Sequence, residues 1–262
     1  MTCKRLKVLN DMFDLNDKLL DAYDYADDPV LQKLLHAWDR VHIGAMMSYS
    51  PVTGFGKQMM AHQNRTAHDG ANFLRFLGFS ERAAKNFRAA MLFHDIGKTH
   101  STYNPTIWTL DDRPTPEEKE LQKRHARLGA DMFETFARKT PELLKHPHFN
   151  VRHGVTLYHH ERIDGEGPEG TIASGLPTFV QVSCIIDAYD GDRIKRPHQT
   201  YRRTPQEALL RLSGINDPKA KYSGAFGGRL LGRYIEFKEK ELNLTGADKE
   251  AGNFLLENER IR

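Results

Sequence analysis

Only two cysteines occur in 262 residues, Cys3 and Cys184, so this chain alone builds neither a disulfide framework nor a cysteine zinc site. No apolar run approaches the roughly 18 residues that a membrane span needs. The opening MTCKRLKVLNDMFD holds no apolar stretch of the signal-peptide kind. The expectation from these absences is a cytoplasmic protein of a reducing compartment with no membrane partner. An excess of one charge is lacking too. Lys and Arg number 38 against 35 Asp and Glu, a formal +3, too mild to point to DNA or an anionic membrane. Apolar material is not scarce: 39% of the residues, with 14 Phe and 9 Tyr, suffice for a core and exclude general disorder. What stands out is histidine. There are 13, several of them clustered.

Period-2 alternation is also missing, and no internal repeat is present, so helical spacing decides the local structure. Apolar residues recur at that spacing over 30–47, with Pro29 at a helix start. A second helix is predicted over 64–77, stopped by Gly78. Ser80 caps a third, whose stripe runs through Phe87 and Met91 to His94. After a polar break at 111–116, one amphipathic helix is predicted over 117–138, with Leu121 and His125 on its inner stripe. The glycine-rich stretch DGEGPEGTIASG at 164–175 reads as a loop. The nearly continuous apolar run PTFVQVSCIIDAYD at 177–190 could be a buried strand, but its length and leading Pro favour a buried helix. A last helix is predicted over 229–242. The expected fold is all-α: a helical extension over 1–60, a helical core over 61–214 and a C-terminal helical segment over 215–262 packing on that core.

The sharpest chemical signal is His94-Asp95-Ile96-Gly97-Lys98. An inward carboxylate is costly unless a cation or several donors compensate it. Lys98, four residues from His94, shares its face if the helical turn persists. An imidazole, a carboxylate and a cation in one pocket offer a metal ligand, a bridging ligand and a phosphate-binding charge. A His-Asp pair alone is more often a buried histidine beside a helix cap. The other histidines shift that balance: His68 on the preceding helix, His125 on an inner stripe, and His159-His160-Glu161 just before the glycine-rich loop. Asp187 ends an apolar run, where an unpaired charge would be heavily penalised. Imidazoles and carboxylates on several converging helices are how a bundle builds a dinuclear site with one shared carboxylate. The basic cluster Lys195, Arg196, Arg202 and Arg203 is a solvated face by default, and beside a metal site it would attract a phosphodiester.

The order His68, HDIGK at 94–98, HARLGADMF at 125–133, HHERIDG at 159–165 and IIDAYD at 185–190 resembles the HD-GYP branch of the HD-domain metal-dependent phosphohydrolases. The resemblance runs from about His68 to Ala208. It implies an all-helical HD domain holding two or three divalent ions, iron or manganese favoured with zinc and nickel possible. It also implies hydrolysis of a cyclic dinucleotide such as cyclic di-GMP, with a hydroxide bridging the ions as nucleophile. Carried over residue by residue, His68, His94, Asp95 and Asp187 match the ligands of one ion, and Asp95 bridges to a second held by His125, His159 and His160. Adjacent helical residues diverge by about 100°, so one of the His159–His160 pair could instead support the other. Lys98 and Arg196 match phosphate-contacting residues.

Two departures from the pattern are visible. The signature loop reads Gly167-Pro168 with no tyrosine, which bears on loop shape, substrate choice and protein partners. The position four before His68, a Glu in three-metal members, is Asn64, which favours two ions. The rival expectations are hydrolysis of another nucleotide or phosphate ester, and a non-hydrolytic module that binds a cyclic dinucleotide or a signalling protein. A homodimer is compatible with either.

Overall fold

The computed structural model describes residues 18–49, 54–103, 114–172, 175–196, 198–214 and 221–243. The first 17 residues, with Cys3, and the last 19 lie outside them. All regular elements among the described residues are helical: α1 (Lys18–Asp21), α2 (Pro29–Ser48), α3 (Phe55–Phe76), α4 (Glu81–Met91), a 3-10 helix (Ile96–Thr99), α5 (Pro116–Lys123), α6 (His125–Arg138), α7 (Pro141–Lys145), α8 (Pro147–Tyr158), α9 (Thr178–Arg193), α10 (Pro205–Ser213) and α11 (Gly228–Glu241). No helix among the described residues is long and apolar enough to cross a membrane.

The centre is α9. Its apolar residues face all directions, with Phe179, Val180, Val182 and Ile186 wholly buried, as expected for a helix surrounded by others. Each such side chain contributes about 1.5–3 kcal/mol relative to exposure. Around it pack α3, α8 and α10, with α4 against α3 and α8, and α6 against α8. The α3–α4 contact is close because Gly70 has no Cβ; one there would lie 2.2 Å from the Phe87 ring.

The N-terminal helices are fixed to this core. Trp38 of α2 stacks on Phe136, with centroids 5.2 Å apart. The neighbouring Asp39 accepts from the buried Arg152 guanidinium at 2.6 Å, which also lies over the Trp38, Phe93 and Phe133 rings. At the other end of the chain, Tyr234 and Lys238 of α11 both donate to Asp69 of α3.

Several boundaries differ from the sequence reading for identifiable reasons. Helix α3 begins at Phe55, so the expected boundary between residues 60 and 61 falls inside it. Phe55 and Met59 form a small apolar cluster with Met46 and Tyr103, separate from the main core, which extends the helix backwards. The single helix predicted over 117–138 is two, α5 and α6, meeting at Arg124. Leu121, counted on its inner stripe, is 45% exposed, and α5 buries no residue. Of the polar break, residues 111–113 lie outside the described residues, and Thr115 closes a capping box with Glu118 at the start of α5. The helix carrying the His94 stripe ends at Met91, so His94 and Asp95 stand in the turn between α4 and the 3-10 helix.

Candidate metal centre

Five segments bring side chains to one point: α3, the turn after α4 with its 3-10 helix, the start of α6, the end of α8 and the middle of α9. At the centre is Asp95, wholly buried. Its Oδ1 lies 2.9 Å from His125 Nε2 and 3.7 Å from His159 Nε2. Its Oδ2 lies 3.6 Å from both His94 Nε2 and His62 Nε2 and accepts from Lys98 Nζ at 2.6 Å. Asp187 faces it: Oδ1 is 3.0 Å from His62 Nε2 and 3.4 Å from His94 Nε2, and Oδ2 is 3.2 Å from His160 Nδ1.

The approach of the 3-10 helix to α6 depends on two glycines. A Cβ on Gly97 would lie 1.9 Å from the His125 carbonyl oxygen, and one on Gly129 would lie 2.9 Å from the Gly97 nitrogen. Gly97 is therefore required by backbone-to-backbone contact, which brings Asp95 within reach of His125.

The tautomers are set by what each Nδ1 touches. His94 Nδ1 donates to the Met91 carbonyl at 2.8 Å, His125 Nδ1 to that of Gln122, and His159 Nδ1 to that of Thr156 at 2.9 Å. These acceptors are three residues back, in the last turn of a helix, where carbonyls lack their usual i+4 amides. His62 Nδ1 donates instead to Asp190 Oδ2 at 2.7 Å. In His94, His125 and His159 a neutral ring then leaves Nε2 without a proton; His62 keeps one on Nε2, shared with Asp187 Oδ1, until an ion displaces it, and all four Nε2 atoms point inward. His125 Nε2 is 3.1 Å from His159 Nε2 and 3.2 Å from His160 Nε2, while the buried His94 Nε2 has no hydrogen-bond partner.

Lone pairs facing lone pairs and carboxylate oxygens repel unless a cation lies between them. Two nitrogens on one ion about 2.1 Å away sit roughly 3.0–3.4 Å apart, which is the spacing of these rings. Among the described residues two groups satisfy the requirement, His125–His159–His160 and His62–His94–Asp95. The residues fit a pair of divalent ions.

The electrostatics agree. Burial disfavours the Asp95 carboxylate, but Lys98, His94 and His125 outweigh it and hold the group well below the ordinary range. Burial likewise disfavours the Asp187 carboxylate, and His160, His62 and His94 more than compensate. Burial, reinforced by Lys98, pushes His125 down to about 4; burial and His160 depress His159 well below 6.5. Both rings are neutral donors at neutral pH.

The centre forms the floor of a cavity of about 600 Å³. Lys98 and Arg196 line it together with Lys119 and Lys123 of α5, Lys221, Arg162, Met59, Tyr222 and Phe226. The glycine-rich loop borders it and is held by Glu161, whose carboxylate accepts from the Glu169 and Thr171 backbone amides at 2.8 and 2.6 Å. Gly167 passes so near that a Cβ there would lie 2.6 Å from Glu161 Oε1.

Of the residues singled out in the sequence, the fold brings together His94, Asp95, Lys98, His125, His159, His160 and Asp187, with Arg196 on the cavity wall. Lys98 reaches Asp95 at i,i+3 and not through a face shared with His94. His125 opens α6 and is not mid-helix. His68 is a correction: it lies on the exposed side of α3, its Nε2 accepting from Asn72 at 3.1 Å. The imidazole that α3 contributes is His62. Six residues turn a helix by roughly 600°, leaving the two side chains about 120° apart, so both cannot face the centre. Asp190 and Arg65 were not among the residues singled out. Their signal was in the sequence: Asp190 follows Asp187 by one helical turn, and Arg65 follows His62 by one.

An all-helical fold with paired His/carboxylate clusters around one buried aspartate is the arrangement of the HD-domain phosphohydrolases. The chain belongs to the HD domain family, whose model matches residues 59–192, and the HD-GYP likeness of its motifs stands. It is 25% identical over 140 residues to the cyclic di-GMP phosphodiesterase response regulator RpfG of Xanthomonas campestris, covering 53% of this chain and 34% of that protein. It is 28% identical over 148 residues to the cyclic di-GMP phosphodiesterase PA4108 of Pseudomonas aeruginosa, covering 56% of this chain and 31% of that one. The chain thus spans about a third of the length of these curated relatives. Among solved structures, Bd1817, an HDG"Y"P protein from Bdellovibrio bacteriovorus, has the same fold, with a TM-score of 0.51, 18% identity, and coverage of 74% of this chain and 56% of that one.

Proposed function

We propose that this chain is a metal-dependent phosphodiesterase that hydrolyses a cyclic dinucleotide, cyclic di-GMP or a close relative. The observation that carries the reading is the convergence of imidazole nitrogens on Asp95 at the floor of a cation-lined cavity. A cavity of about 600 Å³ lies within the range of small-molecule sites, roughly 300–1,000 Å³. The names of the two curated relatives support the same substrate class.

His62, His94 and Asp187 would hold one ion, His125, His159 and His160 the other, and Asp95 would be shared. Iron or manganese is favoured, and zinc and nickel suit the same donors. Two ions are favoured over three, because the residue four before His62 is Gln58, an exposed neutral amide and a poor ligand for a hard cation. When bound, such ions supply Lewis acidity and lower the pKa of water.

The chain's own residues do the rest. Lys98 orients its ammonium between Asp95 and the cavity, where it neutralises charge growing on phosphate oxygens. Arg196 offers a second cation on the wall, and Lys119, Lys123 and Lys221 draw a dianionic substrate inward. Glu161 fixes the Gly167-Pro168 loop at the rim.

The test is Asp95→Asn, with metal content and hydrolysis measured on the same anaerobic preparation. Loss of bound metal and a fall in turnover of at least about a thousandfold is expected. Full activity in that variant would overturn the reading. Two bound ions in the wild-type protein, with no turnover of any diester, would favour the non-hydrolytic module.

A further inference from the structure

The imidazole from α3 is held in a different way from its partners. His62 is mid-helix, where backbone carbonyls are already engaged, so no main-chain acceptor is available to fix its ring. Asp190, one turn beyond Asp187 on α9, fills that role by accepting from Nδ1 at 2.7 Å. Asp190 is itself clamped: Arg65 donates Nε to Oδ1 at 2.7 Å and Nη2 to Oδ2 at 2.8 Å. This fork-to-carboxylate pairing fixes a plane as well as a distance. Arg65 stands three residues after His62, so the relay leaves α3, crosses to α9 and returns to α3.

We propose that Asp190 and Arg65 are positioning residues that aim His62 at one half of the metal centre, so that removing them empties that half selectively. This rests on the two-ion reading of the site. The pair touches neither cavity nor reacting atoms; it acts only through the imidazole. Outer partners of metal-bound histidines typically affect affinity by about 10–100-fold. With Asp190 gone, the His62 ring can rotate about χ2, and Nε2 no longer has a fixed direction. In the other half His125 and His159 have their own main-chain anchors, and His160 faces Asp187, not Asp190.

The test uses the full chain reconstituted anaerobically with manganese, with ions per chain counted by elemental analysis and stepwise affinities taken from titration. The wild type is expected to hold two. Asp190→Asn is expected to keep one tightly and to bind the second about 10–100-fold more weakly. Arg65→Ala should weaken the same step less, and Arg65→Lys, which keeps charge but not the fork, should lie between Arg65→Ala and wild type. Arg65 is partly exposed, so its variants carry the test if Asp190→Asn does not fold. Two unchanged affinities in the folded variants, or equal weakening of both steps, would overturn the inference. A wild type that binds two ions without hydrolysing diesters would sink the proposed function and leave this inference standing. A wild type that binds none would sink both.

Discussion

Helix ends and helix middles solve the same problem differently in this protein. His94, His125 and His159 each stand just past a helix or at the start of the next, and each ties Nδ1 to a carbonyl three residues back. His62 lies inside α3 and borrows a carboxylate from another helix. A terminus supplies acceptors at no cost in sequence, because any residue has a carbonyl. A helix interior has none to spare, so the anchor must be a specific side chain with its own support. One centre thus contains three rings whose main-chain anchors tolerate substitution, beside His62, whose anchor is a side chain, and His160, whose Nδ1 faces the Asp187 carboxylate.

The largest effect that separates the two modes is expected from Gly97→Ala. The added methyl would meet the His125 carbonyl at 1.9 Å, main chain against main chain, and no rotamer relieves it. The 3-10 helix must move off α6, taking Asp95 away from His125. Overpacking of this kind costs about 1–3 kcal/mol or more, and a displacement near 1 Å at a reacting centre costs about a hundredfold in rate. Thermal unfolding together with metal counting should show loss of the ion between Asp95 and the His125 half. A variant as stable and as metal-rich as wild type would mean that the glycine contact is not what sets this approach.

The same contrast explains what could be read from the chain before folding. HDIGK and HHERIDG announce themselves because helix ends place their chemistry in consecutive letters. The helical class and the buried α9 were legible from period and apolar content. The interior ligand was not, because His62 and His68 share one helix and nothing local distinguishes them. What decides is the angular position set by packing against α9, and the presence of Asp190 across that interface. Arg124, which separates α5 from α6, was hidden for a related reason: the 3.6-residue pattern continues through Leu121, although that side chain is 45% exposed.

A smaller, graded difference is expected with pH. In the ion-free protein, burial opposes charge on His62, but hydrogen bonds to Asp187 and Asp190 outweigh it and raise the ring from 6.5 to about 9. An ion must displace that proton, so affinity at the His62 half should weaken about tenfold per unit as pH falls below 9. His125, lowered to about 4, is already neutral over this range, and its half should change little. Ion-free stability should show the opposite signs. The raised His62 contributes stability that is complete below 6.5 and lost as pH rises through about 9; the depressed His125 contributes above 6.5 and loses it as pH falls through about 4. Calorimetric titrations in buffers of different ionisation enthalpy would count the protons, and equal release at both steps would remove the distinction.

The smallest expected effect is the most discriminating control. Gln122 anchors His125 through its carbonyl alone, so Gln122→Ala leaves the anchor in place, and manganese affinity at both steps should stay within about threefold of wild type. Asp190 anchors His62 through its side chain, and its amide variant is expected to move one step by about 10–100-fold. Because Gln122 borders the cavity, turnover in Gln122→Ala can change through substrate contacts, and metal affinity is therefore the quantity to compare. If Gln122→Ala weakened metal binding as much as Asp190→Asn, main-chain anchoring would offer no protection. The difference between helix ends and helix middles would then be one of geometry without energetic consequence.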